Sequence, residues 1–241
     1  GLMVAMKRPD LLHAYIGMGQ VIDFRENERQ GYAWVLDRAR ADGNAEAVKA
    51  LEALAPYPGE GAFAIDKMST QRLWSIHYGG LAAGRDNADF YFRAPRLSPE
   101  YTPADVKAWG DGSAFTITTM FPQLSDVTFA GVTRLDVPVV MLLGRQDYTT
   151  PSSITEAWMA RLQAPSKAVV FFEHSAHLPM VEPPGLVLQA LGDRVGPLAR
   201  PIASKGVDRR RYAQEDLLSD VRGITWRNAT ANAPMKDEWS I

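Results

Sequence analysis

Val137-Pro138-Val139-Val140-Met141-Leu142-Leu143-Gly144-Arg145-Gln146-Asp147-Tyr148-Thr149-Thr150-Pro151 reads as a buried strand, a glycine hinge and an acid on the loop beyond it. The unbroken apolar run Val137–Leu143 is what a strand covered on both faces of a parallel sheet needs. Pro138 falls near its first position, where a missing N–H costs least. A helical pattern follows, led by Ser153-Ile154-Thr155-Glu156 as its cap, with Ile154, Ala157, Trp158 and Leu162 on one inward face. Next comes a second strand, Lys167–Phe172, which runs into Glu173-His174-Ser175-Ala176-His177-Leu178-Pro179, and Leu186–Val195 reads as a closing helix. Strand, helix, strand and helix in this order predict an α/β segment on a parallel sheet.

Ligands of open α/β sheets bind beyond the carboxyl ends of the strands. Asp147 lies at that edge, whereas Asp136 precedes the same strand and belongs to the opposite one. An acid there accepts a hydrogen bond from an imidazole Nδ1–H, fixing its tautomer and stabilising the imidazolium. The plain alternative is a turn aspartate, since Asp is common in such loops. His177 is the matching base, because Ser175 and Ala176 are small enough to let its loop fold back across the strand ends. His174 leaves the strand too early to reach a neighbouring loop. The alternative for His177 is a surface histidine without a task.

Upstream, Gly1–Arg8 is apolar and helical and ends at Pro9-Asp10, and Leu11–Met18 supplies another strand-length apolar run. Helix, turn and strand form half of a βαβ unit. From Val21 to about Gly131 the pattern becomes helical and aromatic-rich. Asn44 precedes a helix with Ala45, Val48, Leu51 and Leu54 on one face, stopped by Pro56 and Pro58, and Thr102-Pro103-Ala104-Asp105 is a capping box. Tyr57–Gly61, Gly79–Gly84 and Gly110–Gly112 read as loops. The expected organisation is residues 1–20 as core helix and strand, 21–132 as a helical cap, 133–198 as core with acid and histidine, and 199–241 as a tail. That tail has one helical stretch, Tyr212–Val221.

Composition excludes several classes. Net charge is −2 over 241 residues, so there is no electrostatic footprint for nucleic acid or anionic membrane. With no cysteine, a disulfide framework and thiolate metal sites are excluded, and a cytoplasmic location is expected. No apolar run is long enough to span a bilayer. His174 and His177 with Glu173 or Glu182 match no helical zinc motif, so no metal is expected. Gly17-Met18-Gly19 opens like a dinucleotide fingerprint, but Ile22 holds the third glycine position, and no cofactor is expected. Arg209-Arg210-Arg211 sits in a mixed-charge tail.

Together these residues resemble the α/β-hydrolase superfamily, and most closely its proline iminopeptidase-like branch. The resemblance rests on Gly144–Pro151, on Glu173–Pro183 and on Lys7–Gln20, and it covers roughly residues 1–198. It implies an α/β fold in partial form, a remnant of a parallel sheet with flanking helices and a mainly helical cap insertion. It also implies Asp147 as triad acid, His177 as triad base, and hydrolysis of a peptide or ester bond in a small-molecule or peptide substrate. The family's chain order is nucleophile, acid, histidine, with the serine on a G-x-S-x-G elbow. No G-x-S-x-G occurs in these residues. Ser113, in Gly110-Asp111-Gly112-Ser113-Ala114, has Asp111 and Phe115 where the elbow needs glycine.

The chain is therefore expected to be a truncated product, a gene fragment or one half of a complex, with its nucleophile falling just ahead of Gly1. Alone it should lack serine-hydrolase turnover and should self-associate through an exposed sheet edge. A different nucleophile, such as Asp, would move the chemistry to epoxides or halides. The family's cap acids for a substrate amine are left among Glu26, Glu28, Glu60 and Asp89. The rival from another class is a non-catalytic binding module on a degenerate hydrolase scaffold. Its surface would be Trp34, Tyr57, Trp74, Tyr78, Phe90, Tyr91 and Phe92, for which ordinary cap core is the favoured explanation.

Overall fold

Three parallel strands form the sheet of the computed structural model, which describes residues 1–61 and 63–199. In chain order they are β1 (Tyr15–Met18), β2 (Val139–Gly144) and β3 (Lys167–Phe172), and they lie in that order across the sheet. Tyr15 pairs with Val139 and Met18 with Leu142, while Val139 pairs with Lys167 and Gly144 with Phe172. The expected helix over Tyr212–Val221 and the rest of the tail lie outside the described residues.

Both flanking strands make β2 central, and every residue of it is buried. Because side chains alternate along a strand, β2 feeds two separate cores. Val139, Met141 and Leu143 pack with Leu2 and Ala5 of α1 (Leu2–Lys7) and with Trp158, Met159 and Leu162 of or just after α7 (Ser152–Arg161). Val140 and Leu142 face Phe172 and Val187 and Ala190 of α8 (Pro184–Ala190), which runs on as a π turn over Leu191–Val195. Helices thus cover both faces, as a parallel sheet requires. Trp158 is fully buried, with its indole N–H donating to Val132 O at 2.9 Å.

Two strands are shorter than their apolar runs. Pro9–Leu11 is a 3₁₀ turn, with Arg8 and Asp10 paired at 2.8 Å, so that β1 begins only at Tyr15. Val137 is buried but precedes the ladder, because Pro138 has no N–H to give it.

Between β1 and β2 the chain is helical: α2 (Phe24–Ala41), α3 (Ala45–Glu52), α4 (Ile65–His77), α5 (Asp89–Arg93) and α6 (Pro103–Leu124). Asp23 caps α2 by accepting from Glu26 N at 2.9 Å, and Asn44 caps α3 through Ala47 N at 3.0 Å. Their apolar faces meet in a further core of Phe24, Val35, Leu36, Leu51, Tyr57 and Phe63. Trp34, Trp74 and Tyr78 pack against it. Trp34, Tyr57, Trp74 and Tyr78 therefore belong to this core, whereas Tyr91 and Phe92 are 39% and 52% exposed.

Two sequence expectations are corrected. Gly110–Gly112 is not a loop but the middle of α6. The Thr102 capping box and the Lys107–Asp111 ion pair, one turn apart at 2.7 Å, offset part of a glycine penalty of about 1 kcal/mol each. Ser153 does not cap α7. That helix begins at Ser152 after Pro151, and tertiary partners take the hydroxyls. Ser153 donates to Gln30 Oε1 at 3.0 Å and Ser152 to Gly144 O at 2.7 Å. Among the described residues no helix is long and apolar enough to cross a membrane.

Candidate active site

Asp147 and His177 come together at the carboxyl ends of β2 and β3. Asp147 Oδ2 lies 3.0 Å from His177 Nδ1, with the aspartate 2% exposed. Thr150 completes a triangle. Its amide donates to Asp147 Oδ1 at 2.7 Å, and its hydroxyl donates to Oδ2 at 2.8 Å while lying 3.1 Å from His177 Nδ1. A carboxylate oxygen only accepts, so this contact suits Nδ1 as the donor, which in a neutral ring leaves the lone pair on Nε2. His177 is partly exposed, and its Nε2 has no hydrogen-bond partner among the described residues.

Backbone bonds join the two loops that carry these side chains. Arg145 N donates to Phe172 O at 3.0 Å and Gln146 N to Ser175 O at 2.9 Å. Above them Arg145 makes a two-pronged pair with Glu173, which holds the Glu173 carboxyl below its ordinary range and raises Arg145. Two glycines permit this closeness. A Cβ on Gly144 would lie 1.8 Å from Ala176 O. Gly19, at the end of β1 with φ +56°, would put a Cβ 2.6 Å from His177 Cε1. Gly19 is thus the floor under the imidazole.

A third loop, Gly79–Gly84 between α4 and α5, ties the pair together from outside. Gly80 O accepts from Tyr148 N and Thr149 N, both at 3.2 Å, on the acid loop. Leu81 O accepts from His177 N at 3.0 Å on the histidine loop. Trp34 of α2 stacks flat on Tyr148, with ring centroids 4.0 Å apart. Asn27, also on α2, donates to Thr149 O at 3.0 Å.

The rejected candidates lie elsewhere. Asp136 pairs with Arg134 at 2.9 Å on the surface, and His174 is exposed. Ser113 sits within α6 rather than on a strand-to-helix turn. Of the four acids considered for a substrate amine, Glu26 pairs with Arg29 at 2.5 Å and Asp89 with Arg93 at 2.8 Å, both at the surface, while Glu60 is exposed. Glu28 is fully buried, bonded to Arg72, to the Tyr57 hydroxyl and to Asn27. Burial first, and then the Glu28 carboxylate, push the Tyr57 phenol well above its usual range.

Sequence reasoning missed Thr150 and the clasp of the Gly79–Gly84 loop. Thr150 had a local signal, an acid three residues before a hydroxyl and just ahead of Pro151. The clasp had none, because Gly80 O meets a partner 69 residues away in Thr149.

Comparison with solved structures decides the architecture. VinJ superposes with a TM-score of 0.51 at 19% identity, over 82% of this chain and 62% of that one. Proline iminopeptidase from Mycobacterium smegmatis gives 0.51 at 16%, over 82% and 61%. The fold is a partial α/β-hydrolase fold. In sequence, the chain is 24% identical over 193 residues to the probable aminopeptidase YbaC of Bacillus subtilis (strain 168). That match takes in 79% of this chain, which spans 59% of the relative's length. No protein-family model matches the chain.

Proposed function

We propose that Asp147 and His177 are the acid and base of a serine-hydrolase site of the proline iminopeptidase type. It cleaves an amide or ester bond in a small-molecule or peptide substrate, and its nucleophile comes from outside these 241 residues. The observation that carries this reading is the 3.0 Å contact between a buried aspartate oxygen and His177 Nδ1. It leaves Nε2 as the free base at the strand ends, where hydrolase-fold ligands bind.

In this mechanism His177 Nε2 takes the proton of the attacking hydroxyl as the new bond to the acyl carbon forms. Asp147 stabilises the resulting imidazolium without itself being protonated. His177 then returns the proton to the departing amine or alcohol, and a water molecule repeats the cycle on the acyl-enzyme. Helices α2 to α6 act as the cap over this site, anchored to both loops through Gly80 and Leu81. The absence of any G-x-S-x-G in the sequence, together with the 59% span of the aminopeptidase relative, supports a nucleophile lying elsewhere.

The test is the coding sequence upstream of Gly1, expressed in frame with this chain. An encoded G-x-S-x-G shortly before Gly1, and hydrolysis of prolyl p-nitroanilide or a p-nitrophenyl ester that is lost in His177→Ala, are expected. An upstream frame without a nucleophile motif would refute the reading and favour a non-catalytic module. Aspartate at the nucleophile position would redirect it to epoxide or halide chemistry.

A further inference from the structure

Glu182 has no part in the mechanism above, yet its carboxylate makes three short bonds where the histidine loop meets the Gly79–Gly84 loop. Oε1 accepts from Ala83 N at 2.6 Å. Oε2 accepts from Ser175 Oγ at 2.6 Å and from Ala176 N at 2.9 Å. Ser175 and Ala176 are both fully buried and immediately precede His177. One carboxylate therefore fixes both ends of a short bridge, the backbone just ahead of His177 and the loop whose Leu81 O holds the His177 amide at 3.0 Å.

The geometry points to Glu182 as a positioning residue for His177. It holds the histidine loop against the Gly79–Gly84 loop, so that Nδ1 stays on Asp147 Oδ2. The inference rests on the reading of Asp147 and His177 as an acid–base pair. Three donors converge on it: two amides and a hydroxyl whose oxygen lies 3.5 Å from Ala176 O. Such a set suits the two acceptor oxygens of a carboxylate better than the one oxygen of an amide. A glutamine would keep the size, but its NH2 would face one of those N–H or O–H donors, opening the bridge on one side. The same Gly79–Gly84 loop holds the acid loop through Gly80 O, so Glu182 ties the histidine loop to a part already tied to Asp147. Alignment of the pair is then a property of the joint among three loops.

The 241-residue chain tests this without turnover. In mildly alkaline buffer, 15N shifts of the His177 ring report which nitrogen carries the proton, and the hydrogen-bonded Nδ1–H gives its own downfield proton resonance. The Trp158 indole proton, bonded to Val132 O at 2.9 Å in the buried core, monitors folding. The wild-type ring should be almost wholly the Nδ1–H tautomer. Glu182→Gln should raise the Nε2–H form several-fold and broaden the Nδ1–H signal, with the Trp158 signal in place. Ser175→Ala removes one of the three bonds and should give a smaller change in the same direction.

Asp147→Asn separates the two ideas. If it leaves the tautomer unchanged, the acid–base pair itself is refuted. If it shifts the tautomer while Glu182→Gln does not, the pair stands and the role of Glu182 is overturned. Should Glu182→Gln lose the Trp158 signal, Ser175→Ala decides. A wild-type tautomer ratio in that variant overturns the proposal, and a shifted ratio supports it.

Discussion

Thr150 Oγ1 touches both members of the pair, 2.8 Å from Asp147 Oδ2 and 3.1 Å from His177 Nδ1. The hydroxyl donates to the carboxylate and shares its oxygen with the imidazole N–H, so the acid is held by a donor that does not titrate. In a catalytically complete form, Asp147→Asn should lower kcat by about 10⁴, because the amide favours the wrong tautomer. Thr150→Val should lower it far less, by about tenfold, the equivalent of one hydrogen bond to a charged group. Steady-state kinetics on both variants checks this, with KM expected to stay within a few-fold.

Gly19→Ala is expected to act on the histidine from below. Its Cβ would enter the space of His177 Cε1, at 2.6 Å, and of Nδ1, at 2.8 Å, from a backbone with φ +56°. The strained backbone alone costs on the order of 1 kcal/mol. The displaced ring should cost activity well beyond what a loss of that size explains. A thermal melt set beside kcat of the same variant distinguishes the two effects, and a wild-type kcat would contradict the placement.

Alkaline pH should destabilise the fold through its buried phenols. Burial pushes Tyr15 up to about 12, and Tyr57 is raised by burial and by Glu28. The unfolded tyrosines lose their protons near the ordinary value of about 10, so from there upward the unfolded state binds fewer protons than the folded one. Stability is then fully present below about pH 10 and falls as pH rises towards the folded values. Urea midpoints measured upward from pH 9 should decline (~pH 9 being below the ordinary tyrosine range). Tyr15→Phe should flatten that decline while lowering stability at neutral pH by about 1 kcal/mol, through loss of the bond to Gln20.

Helix α6 carries two glycines that nothing requires. A Cβ on Gly110 or Gly112 would meet no atom within 4 Å, and neither residue has a positive φ. Gly110→Ala and Gly112→Ala should each stabilise the protein by about 0.5–1 kcal/mol. Denaturant midpoints check this. Destabilisation would mean that this stretch is the loop its composition implies.

That pair of glycines also shows where local reading of the sequence fails. Gly-Asp-Gly is a turn composition, and the signals that favour a helix there, the capping box and the Lys107–Asp111 pair, are spread over a longer window. Val139–Leu143 was legible because a strand buried on both faces needs a continuous apolar run, and no surface segment does. The meeting of Asp147 with His177 was legible because each lies on the loop beyond the carboxyl end of a strand. The strand limits were not, since Pro9–Leu11 winds into a 3₁₀ turn and β1 opens only at Tyr15. Thr150 was within reach of local reasoning, whereas Glu182 was not, because its partner Ala83 lies 99 residues away. Long-range hydrogen bonds leave no local pattern in a sequence, and the Gly79–Gly84 clasp consists of them.

A fluorophosphonate probe tests the central claim most directly, applied to the purified 241-residue chain and to the same chain expressed with the in-frame sequence upstream of Gly1. No labelled residue is expected in the chain alone. In the extended form one labelled serine is expected, within a G-x-S-x-G, with its labelling lost in His177→Ala. A discrete labelled serine among these 241 residues, or labelling of the extended form undiminished by His177→Ala, would overturn the assignment of His177 as base to an external serine.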